Sequence, residues 1–510
     1  MNMTENTENV AESVELSAEM PQENLSEILQ IRRDKLAALM DAGANPYAIT
    51  KFTRTAYSAD IHADFDALEN TDVTIAGRIM ARRGMGKAIF ADLADDKGKI
   101  QVYIRKNDID EVEFESFKKG DIGDIIGITG FVFRTKMGEI SVHAKSVTLL
   151  SKSLRPLPEK YHGLTDLETK YRQRYLDLIM DADTRRTFEI RSRFIRHIRR
   201  YLDERGYMEV ETPVLDTLMG GATARPFITH HNSLDIDMYL RIATELHLKR
   251  LIVGGIERVY EIGRIFRNEG MDTKHNPEFT TIELYEAYAD FNDMMRLFEE
   301  IVTTFAAEVL GTYEVEWQGE TINLAPGWAK MTMAEAVKLH IGVDFYAFTS
   351  VEDAVKAAAT IGVKMSDGKA PTWGDLLYEC FDQRVEEKLI QPVFITEHPL
   401  EVSPFAKKCA HDPRVTERFE AFICRSEMSN AFSELNDPLD QRERFLAQVA
   451  LRNAGDDEAG MMDEDFLAAL EYGMPPTGGI GIGIDRCVML LTGKSSIRDV
   501  LLFPTMKPLS

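Results

Sequence analysis

The chain has 510 residues, of which 44% are hydrophobic, and a formal net charge of −24. This length predicts two or three domains with a large core, and the apolar fraction is ordinary for a globular protein. No apolar run approaches the roughly 18 residues that a membrane span needs, and the N-terminus lacks the basic and apolar regions of a signal peptide. We therefore expect a cytoplasmic protein without membrane association.

Cysteine spacing supports the same location. The four cysteines are far apart and form no CxxC pair, which predicts buried, reduced thiols rather than a disulfide frame or a zinc site. They are Cys380, Cys409, Cys424 and Cys487.

The N-terminal region is acidic. Residues 1–30 contain seven glutamates and no lysine or arginine. This composition predicts a disordered tail over residues 1–22. Residues 23–42 then have helical spacing of apolar residues and end before Gly43 and Pro46, which are typical helix stop signals.

Residues 71–150 change to five short β-rich segments separated by glycine, aspartate and lysine turns. This pattern predicts a five-stranded OB-fold barrel, so that residues 23–150 form one domain with the preceding helix. Such barrels bind single-stranded nucleic acid by stacking bases on exposed aromatic side chains in a basic groove. Phe90, Gln101 and the arginines at positions 78–83 are candidates, although Phe90 could equally be a core residue.

Residues 151–164 contain two prolines and little periodicity, and we predict that they link the barrel to a second domain over 165–510. The second domain mixes helices with alternating, hairpin-like strands, which favours an α+β fold with an antiparallel sheet flanked by helices. The usual phosphate-loop, dinucleotide, zinc-protease and serine-hydrolase motifs are absent from the sequence. Seven arginines between 185 and 200 lie along a predicted helix, either to bind nucleic acid or to pair with carboxylates at a solvated surface.

The most informative segment of this domain is 257–285, which predicts two strands joined by a polar loop. Arg267 ends the first strand, and Asn268, Glu269, Lys274, His275 and Asn276 occupy the loop. In the second strand, period-two spacing places Phe279, Glu283 and Tyr285 on one face. A face with a carboxylate and a phenol must pair its polar groups if it is buried. The hairpin therefore indicates a site for a small, charged ligand.

Three other segments carry unusual residues. Gly220 and Gly221 follow a helix–strand–Pro213 pattern, and Glu245 begins a predicted helix, where the helix dipole could stabilise it. Between 418 and 437, Glu420, Asn430, Phe432 and Glu434 share one strand parity and Glu427 has the other. Glu420 and Glu427 therefore reach one site only across a β-bulge, where two carboxylates would suit Mg²⁺ and a phosphate.

The segment TGGIGIGIDR at 477–486 alternates glycine with isoleucine. Gly479, Gly481 and Gly483 leave one strand face bare, and Arg486 opens the helix that follows. Glycine weakens a strand, so three in register predict that a flat ligand lies on the sheet.

Together these motifs resemble the class II aminoacyl-tRNA synthetases. Arg267-Asn268-Glu269 with His275 and Phe279 resembles motif 2, residues 479–486 resemble motif 3, and the helix–strand–Pro213 segment resembles motif 1, the dimer element. The order of the two domains is similar to that of the subgroup charging lysine, aspartate or asparagine. The segments GGATARPFITHHN, HNPEFT, HPLEVSPFAK, FSELND and GIGIDR resemble the bacterial-type lysyl-tRNA synthetases most closely.

This resemblance implies a homodimer that uses ATP and Mg²⁺ to join L-lysine to tRNA(Lys). It implies Arg267 and Arg486 as catalytic residues and Glu420 and Glu427 as Mg²⁺ ligands. The implied ATP-binding residues are Arg267, Glu269, His275, Phe279, Glu420 and Arg486. The implied lysine-binding residues are Gly221, Glu245, Arg267, Glu283, Tyr285, Asn430, Phe432, Glu434 and Gly481. In the barrel, the implied anticodon contacts are Arg78, Phe90 and Gln101.

The sign of the charge in the predicted pocket distinguishes a lysine-charging enzyme from the nearest alternative. An aspartyl- or asparaginyl-tRNA synthetase would need a different pocket, since aspartate requires a cation, whereas Glu283 and Glu434 present negative charge to an ammonium. A catalytically inactive OB-fold RNA-binding paralogue is the alternative from another class. It would have no need for the intact set of Arg267, Glu420, Glu427 and Arg486.

Overall fold

The computed structural model describes residues 22–158, 166–364, 371–455 and 458–509. The chain divides into two compact units, Met1–Leu167 and Glu168–Ser510. The acidic tail predicted over 1–22 lies outside the described residues except for Gln22, which begins the first helix, and so does part of the predicted linker, 159–164.

The first unit contains a five-stranded closed barrel in the order β1-β2-β3-β5-β4, which confirms the predicted OB-fold. Its strands are β1 (Asp72–Met85), β2 (Ala88–Ala94), β3 (Lys99–Arg105), β4 (Ile125–Arg134) and β5 (Ile140–Ser151). Its helices are α1 (Gln22–Asp41), α2 (Ser58–Ala63), α3 (Phe65–Leu68) and α4 (Glu111–Lys119). Helix α1 begins and ends within a residue of the prediction, and Gly43 after it has a φ of +73°, which glycine adopts without strain.

Apolar side chains at every second position of the strands fill the interior of the barrel. In β2, Ile89, Ala91 and Leu93 are buried in the core while the residues between them are half-buried on the outer face. In β3, Ile100, Val102 and Ile104 are buried in the same way. Phe90 therefore lies on the outside of the barrel, and the interpretation of Phe90 as a core residue is wrong.

The second unit is built on an eight-stranded sheet of order β14-β15-β16-β17-β18-β11-β10-β6. Its strands are β6 (Met208–Glu209), β10 (Arg258–Phe266), β11 (Glu278–Ala287), β14 (Ala329–Thr332), β15 (Val393–Thr396), β16 (Arg418–Phe422), β17 (Glu427–Ser433) and β18 (Thr477–Gly483). The five central pairings, from β15 to β10, are antiparallel, and only the outermost pairs β14–β15 and β10–β6 are parallel. The predicted antiparallel sheet is thus confirmed.

Two small sheets accompany the large one. They are formed by β7 (Leu215–Asp216), β8 (Ile228–His231) and β9 (Ile236–Leu240), and by β12 (Glu314–Trp317) and β13 (Glu320–Asn323). Strand β9 ends at Leu240, five residues before α8 begins at Glu245.

Helices cover the sheet and close its core. They are α5 (Leu167–Arg172), α6 (Arg174–Met180), α7 (Ala182–Asp203), α8 (Glu245–Val253), α9 (Phe291–Phe305), α10 (Met333–Ile341), α11 (Val351–Thr360), α12 (Trp373–Arg384), α13 (Pro438–Asn453), α14 (Glu464–Glu471), α15 (Ile484–Thr492) and α16 (Ile497–Val500). Buried apolar residues of α7, α9 and α15 form one cluster with Ile282 and Leu284 of β11 and with Ile480 and Ile482 of β18. One sheet face is thereby fixed as core, and the opposite face of the same strands is left for the polar residues of the site.

The four cysteines are buried and unpaired, as predicted. Within the described residues, no helix is long and apolar enough to cross a membrane.

Candidate active site

A cavity of about 730 Å³ opens over the polar face of the large sheet. Its wall and floor come from β11, β16, β17 and β18, the start of α8 and the segment 401–406. Every predicted site residue of the second unit lines this cavity. A concave site of this volume is of the size that small-molecule ligands occupy.

The hairpin of β10 and β11 supplies one side of the cavity. Its register pairs Ile265 with Phe279 and Val259 with Tyr285, so that Phe279, Glu283 and Tyr285 project to the same face, as predicted. Strand β10 ends at Phe266, so Arg267 begins the loop rather than ending the strand.

Arg267 lacks a resident counterion. Its guanidinium carbon lies 5.3 Å from the centre of the Phe279 ring, and its Nη2 donates a long hydrogen bond, 3.4 Å, to the Ile242 carbonyl. Its Nε is buried without a partner, and among the described residues no carboxylate lies within 4.0 Å. Burial lowers the pKa of Arg267. A guanidinium that lacks a carboxylate partner is available to bind an anionic group that enters the cavity.

Arg486 lies in the first turn of α15 and lines the same cavity. Its Nη1 donates to the Glu427 carbonyl at 2.8 Å and to Glu427 Oε2 at 3.2 Å, and its Nη2 approaches His275 Nε2 at 3.4 Å. His275 Nδ1 lies 2.9 Å from Asp272 Oδ2. Because arginine can only donate, His275 accepts at Nε2, which places the ring proton on Nδ1, facing Asp272.

A β-bulge brings the two predicted metal ligands to one site. Glu420 pairs with Asn430 and Ala421 with Ser429, but Phe422 pairs with Glu427, so the register shifts by one residue. Glu420 and Glu427 consequently both line the cavity in spite of their opposite parity. Glu420 Oε1 accepts a 2.6 Å hydrogen bond from Arg418 Nη2.

The other end of the cavity is acidic. Glu245, Glu283 and Glu434 line it together with the Tyr285 hydroxyl, which donates to Glu283 Oε2 at 3.2 Å. Among the described residues, the one cation in contact with these carboxylates is Lys249, which is fully buried. Its Nζ lies 2.5 Å from Glu245 Oε1 and is in ion-pair contact with Glu434 Oε2. This end of the cavity thus holds three carboxylates, two of which pair with one resident ammonium.

Burial dominates the pKa values of this cluster. It raises the pKa of Glu283 to about 7, with a further contribution from the charge of Glu245. It raises the pKa of Glu434 well above the usual range and also raises that of Glu245, although Lys249 opposes both shifts. Burial disfavours the Lys249 ammonium, but the two adjacent carboxylates outweigh it and raise the Lys249 pKa. The cluster is therefore short of positive charge.

Glu434 has unused hydrogen-bonding capacity. Both of its oxygens are buried without a well-oriented hydrogen bond, despite the ion-pair contact of Oε2 with Lys249. A buried carboxylate oxygen without a donor is costly unless a ligand supplies one. Glu245 is the first residue of α8, after the N-cap residue Thr244, and its Oε1 accepts from Lys249 one turn later in the same helix.

The glycine strand β18 serves two purposes. A Cβ at Gly481 or Gly483 would meet nothing closer than 3.7 Å, so the sheet is bare there, as predicted. A Cβ at Gly479 would lie 2.0 Å from Glu434 Oε1 and 2.5 Å from the Tyr285 ring. The prediction that all three glycines expose the sheet to a ligand is wrong for Gly479, where the space is already filled by two side chains of the acidic end.

The predicted anticodon contacts lie on the outside of the barrel. Phe90 packs at 4.8 Å from Tyr103, within a group of rings that also contains Phe131, Phe133 and His143. Gln101 Oε1 accepts from Ser141 Oγ at 3.0 Å. Arg78 Nη1 donates to the Gly123 carbonyl at 2.8 Å, so part of its hydrogen-bonding capacity is used within the barrel.

Two polar residues of this site are missing from the prediction. Arg418 has the parity of Glu420 on β16, and Lys249 lies four residues after Glu245 on α8. Strand parity and the i, i+4 spacing could have revealed both.

The arginine-rich helix α7 is engaged mainly by carboxylates. Arg191 contacts Asp485, Arg199 pairs with Glu209 and Arg200 contacts Glu308. Asp485 Oδ2 also accepts from the Thr280 amide at 2.7 Å. The interpretation as a paired helix face therefore holds for these three arginines, and Arg191 anchors the residue that precedes Arg486.

Comparison with known protein families agrees with this geometry. Residues 166–507 match the family described as tRNA synthetases class II (D, K and N), and residues 73–150 match the OB-fold nucleic acid binding domain. The class of protein is thus a class II tRNA synthetase with an OB-fold domain.

Individual relatives show to which family within this class the chain belongs. The chain is 57% identical to a lysine–tRNA ligase of Pelotomaculum thermopropionicum, with 96% of each chain covered. It is 56% identical to a lysine–tRNA ligase of Bacillus subtilis, with 95% of this chain and 98% of the relative covered. The chain therefore belongs to the lysine–tRNA ligase family.

Proposed function

We propose that the chain activates L-lysine with ATP and transfers it to the 3′-terminal adenosine of tRNA(Lys). The observation that carries this proposal is that one end of the cavity has a cation without a counterion and the other end has more carboxylates than cations. Arg267 is a half-buried cation without a carboxylate partner among the described residues. Of the three carboxylates Glu245, Glu283 and Glu434, two pair with Lys249. Free lysine has one carboxylate, which can pair with Arg267, and two ammonium groups, which can pair with the carboxylates.

In the first step, a lysine carboxylate oxygen forms a bond to the α-phosphorus of ATP, and the bond from that phosphorus to the pyrophosphate oxygen breaks. Both reactants are anionic, so the barrier depends on cations that neutralise the developing charge. We assign Arg267 to the lysine carboxylate and the α-phosphate, and Arg486 to the γ-phosphate. No general base is needed, because the attacking carboxylate is already ionised.

We assign the adenine to the space between Phe279 and Arg486. Phe279 lines the cavity, and its ring already lies below the Arg267 guanidinium. Glu269 is exposed at the cavity rim, where its carboxylate could accept from the adenine amino group, and His275 lies beside Arg486, within reach of the phosphates. A base stacked between an aromatic ring and a guanidinium gains from both surfaces.

We propose that Glu420 and Glu427 hold Mg²⁺ when ATP is bound. Each carboxylate has one oxygen that accepts no hydrogen bond from the described residues, which leaves a donor set of two carboxylate oxygens. No group of three metal-binding side chains was found among the described residues, which fits Mg²⁺ taken up with phosphate oxygens as further ligands. When bound, Mg²⁺ would stabilise the charge on the phosphates and on the leaving pyrophosphate.

We assign the lysine side chain to the acidic end. We assign Glu283, Tyr285 and Glu434, which line this end, to the ε-ammonium, and Glu245 with Gly221 to the α-ammonium. Asn430 and Gly481 are cross-strand partners on the cavity floor, and we assign them with Phe432 to the ligand backbone and stem. A site of buried polar groups that must be paired can reject a substrate lacking the matching group by about 10⁴–10⁵-fold.

We further propose that the barrel binds the anticodon of tRNA(Lys). The half-buried aromatic group on the outer face around Phe90 supports this, since unpaired bases stack on such rings, and Gln101 lies on the same outer face of neighbouring strands. Arg78 is the weakest of the three assignments, because its guanidinium already bonds to Gly123.

A homodimer through the motif 1 region, 182–213, is also proposed. Large apolar side chains are exposed in and after this region, including Met208 at 52% and Ile228 at 63%. We propose that these side chains are covered by a second copy of the chain. We propose a cytoplasmic location on the strength of four buried, unpaired cysteines.

Substitution of Glu434 by glutamine tests the substrate assignment. The change removes a carboxylate without changing shape, so the lysine KM in ATP–pyrophosphate exchange should rise far more than the ATP KM. An unchanged lysine KM would contradict the assignment of this end of the cavity to the ε-ammonium.

A further inference from the structure

Arg418 connects the two halves of the cavity through one guanidinium group. Its Nε donates to Asn430 Oδ1 at 3.0 Å, and its Nη2 donates to Glu420 Oε1 at 2.6 Å. Its Nη1 donates to the Val402 carbonyl at 2.5 Å and to Ser403 Oγ at 3.0 Å. Only 11% of the Arg418 side chain is exposed. The planar guanidinium therefore fixes three separate elements relative to one another.

The groups that Arg418 contacts have different assignments. Glu420 and Asn430 are direct cross-strand partners on β16 and β17. Glu420 is assigned to Mg²⁺ and ATP, and Asn430 to lysine. Arg418 also anchors the segment 400–403, of which Val402 and Ser403 line the cavity.

Arg418 is better suited to position these groups than to contact substrate. An arginine has five N–H donors, and four hydrogen bonds to protein groups are already made. A Glu420 carboxylate that accepts from Arg418 through Oε1 is held with Oε2 available. An Asn430 amide that accepts from Arg418 Nε through Oδ1 is held with its N–H donors directed elsewhere.

We propose that Arg418 is a positioning residue that aligns the Mg²⁺-binding carboxylate with the lysine-binding amide, so that the lysine carboxylate and the α-phosphate meet in one geometry. This inference rests on the proposed function. The displacement requires the attacking carboxylate oxygen and the α-phosphorus to lie about 3–3.5 Å apart and in line with the leaving group. Because Arg418 holds a residue of each binding site, it directly affects this alignment.

Substitution of Arg418 by lysine tests the proposal. Lysine retains the positive charge but has a single ammonium, which cannot make the same fork of hydrogen bonds. We expect the Mg²⁺ concentration for half-maximal exchange and the lysine KM to rise together, each by about 10-fold or more, as for other residues that orient ligand groups. Arg418→Gln is a second variant, which retains a side-chain N–H donor but no charge.

Arg414→Lys is a matched control. Arg414 also bonds to a carboxylate two residues away, Asp412, at 2.8 Å, but it does not line the cavity. Its substitution should leave both constants unchanged. Thermal unfolding of each variant separates loss of folded protein from misalignment, because partial unfolding lowers the maximal rate and does not change either half-saturation constant.

The outcomes separate the two proposals. Failure of wild-type protein to catalyse lysine-dependent exchange would overturn the proposed function. Normal wild-type exchange, with Arg418→Lys changing only the maximal rate or only one of the two constants, would overturn the role of Arg418 alone.

Discussion

Lys249 is in ion-pair contact with Glu434, and both side chains are fully buried. The same ammonium lies 2.5 Å from Glu245 Oε1. A lysine-binding site thus contains a lysine of its own, which satisfies part of the negative charge and leaves the remainder for the substrate. The resident cation lowers the pKa values of Glu245 and Glu434 and so offsets part of the effect of burial on these two carboxylates.

Replacing Lys249 by methionine should destabilise the ligand-free protein. Removing one partner of a buried ion pair leaves the other charge uncompensated, at a cost of about 3–5 kcal/mol. Thermal or denaturant unfolding measures this loss. Lys338→Met is the control, because Lys338 pairs with Asp344 at the surface, with 62% of its side chain exposed, and such pairs contribute about 0–1 kcal/mol. Equal effects of the two substitutions would contradict the buried-counterion role of Lys249.

Lysine binding should strengthen as the pH rises toward neutrality. The Glu283 pKa is about 7 in the free site, above its ordinary value of 4.5, and a bound ammonium favours the ionised carboxylate. Lysine binding therefore releases protons below about pH 7, so the lysine Kd should fall by up to ~10-fold per pH unit and level off above that pH.

Calorimetric titration with lysine between about pH 6 and pH 8 measures this slope. Glu245 and Glu434 belong to the same coupled cluster, so the slope reports the cluster rather than Glu283 alone. Glu283→Gln should flatten the dependence. The stability of the ligand-free protein should instead decrease as the pH rises. A carboxylate whose pKa is raised in the folded state favours folding at pH values below its ordinary pKa of 4.5, and this contribution is lost as the pH rises through about 7. A Kd that increases with pH over this range would contradict the assignment.

Alanine at Gly479 and at Gly481 should have different effects. At Gly479 the new methyl would lie 2.0 Å from Glu434 Oε1 and 2.5 Å from the Tyr285 ring, so the free protein should lose stability. At Gly481 the nearest atom would be 3.8 Å away, so stability should be kept while the methyl occupies ligand space. Unfolding temperature and lysine KM measured on both variants test this contrast. Wild-type lysine KM in Gly481→Ala would show that the ligand does not lie on this part of the strand.

Much of this architecture is predictable because it follows local periodicity. The barrel strands, helix α1 and the shared face of Phe279, Glu283 and Tyr285 all follow from alternation or helical spacing. The bulge between Glu420 and Glu427 is required by parity, and the structure has it.

The rest of the site depends on long-range packing that period counting does not reveal. Gly479 has the same strand parity as Gly481, but only the fold brings Glu434 and Tyr285 against it. Likewise, Lys249 looks like one partner of an ordinary helical pair until Glu434, far away in the sequence, is placed beside it.

The central claim is that the acidic end of the cavity selects lysine for activation by ATP. ATP–pyrophosphate exchange measured with each of the twenty standard amino acids tests it most directly. Exchange that depends on lysine and Mg²⁺, with little or none for aspartate and asparagine, is the predicted result. Exchange with aspartate or asparagine in preference to lysine, or exchange with no amino acid at all, would contradict the account.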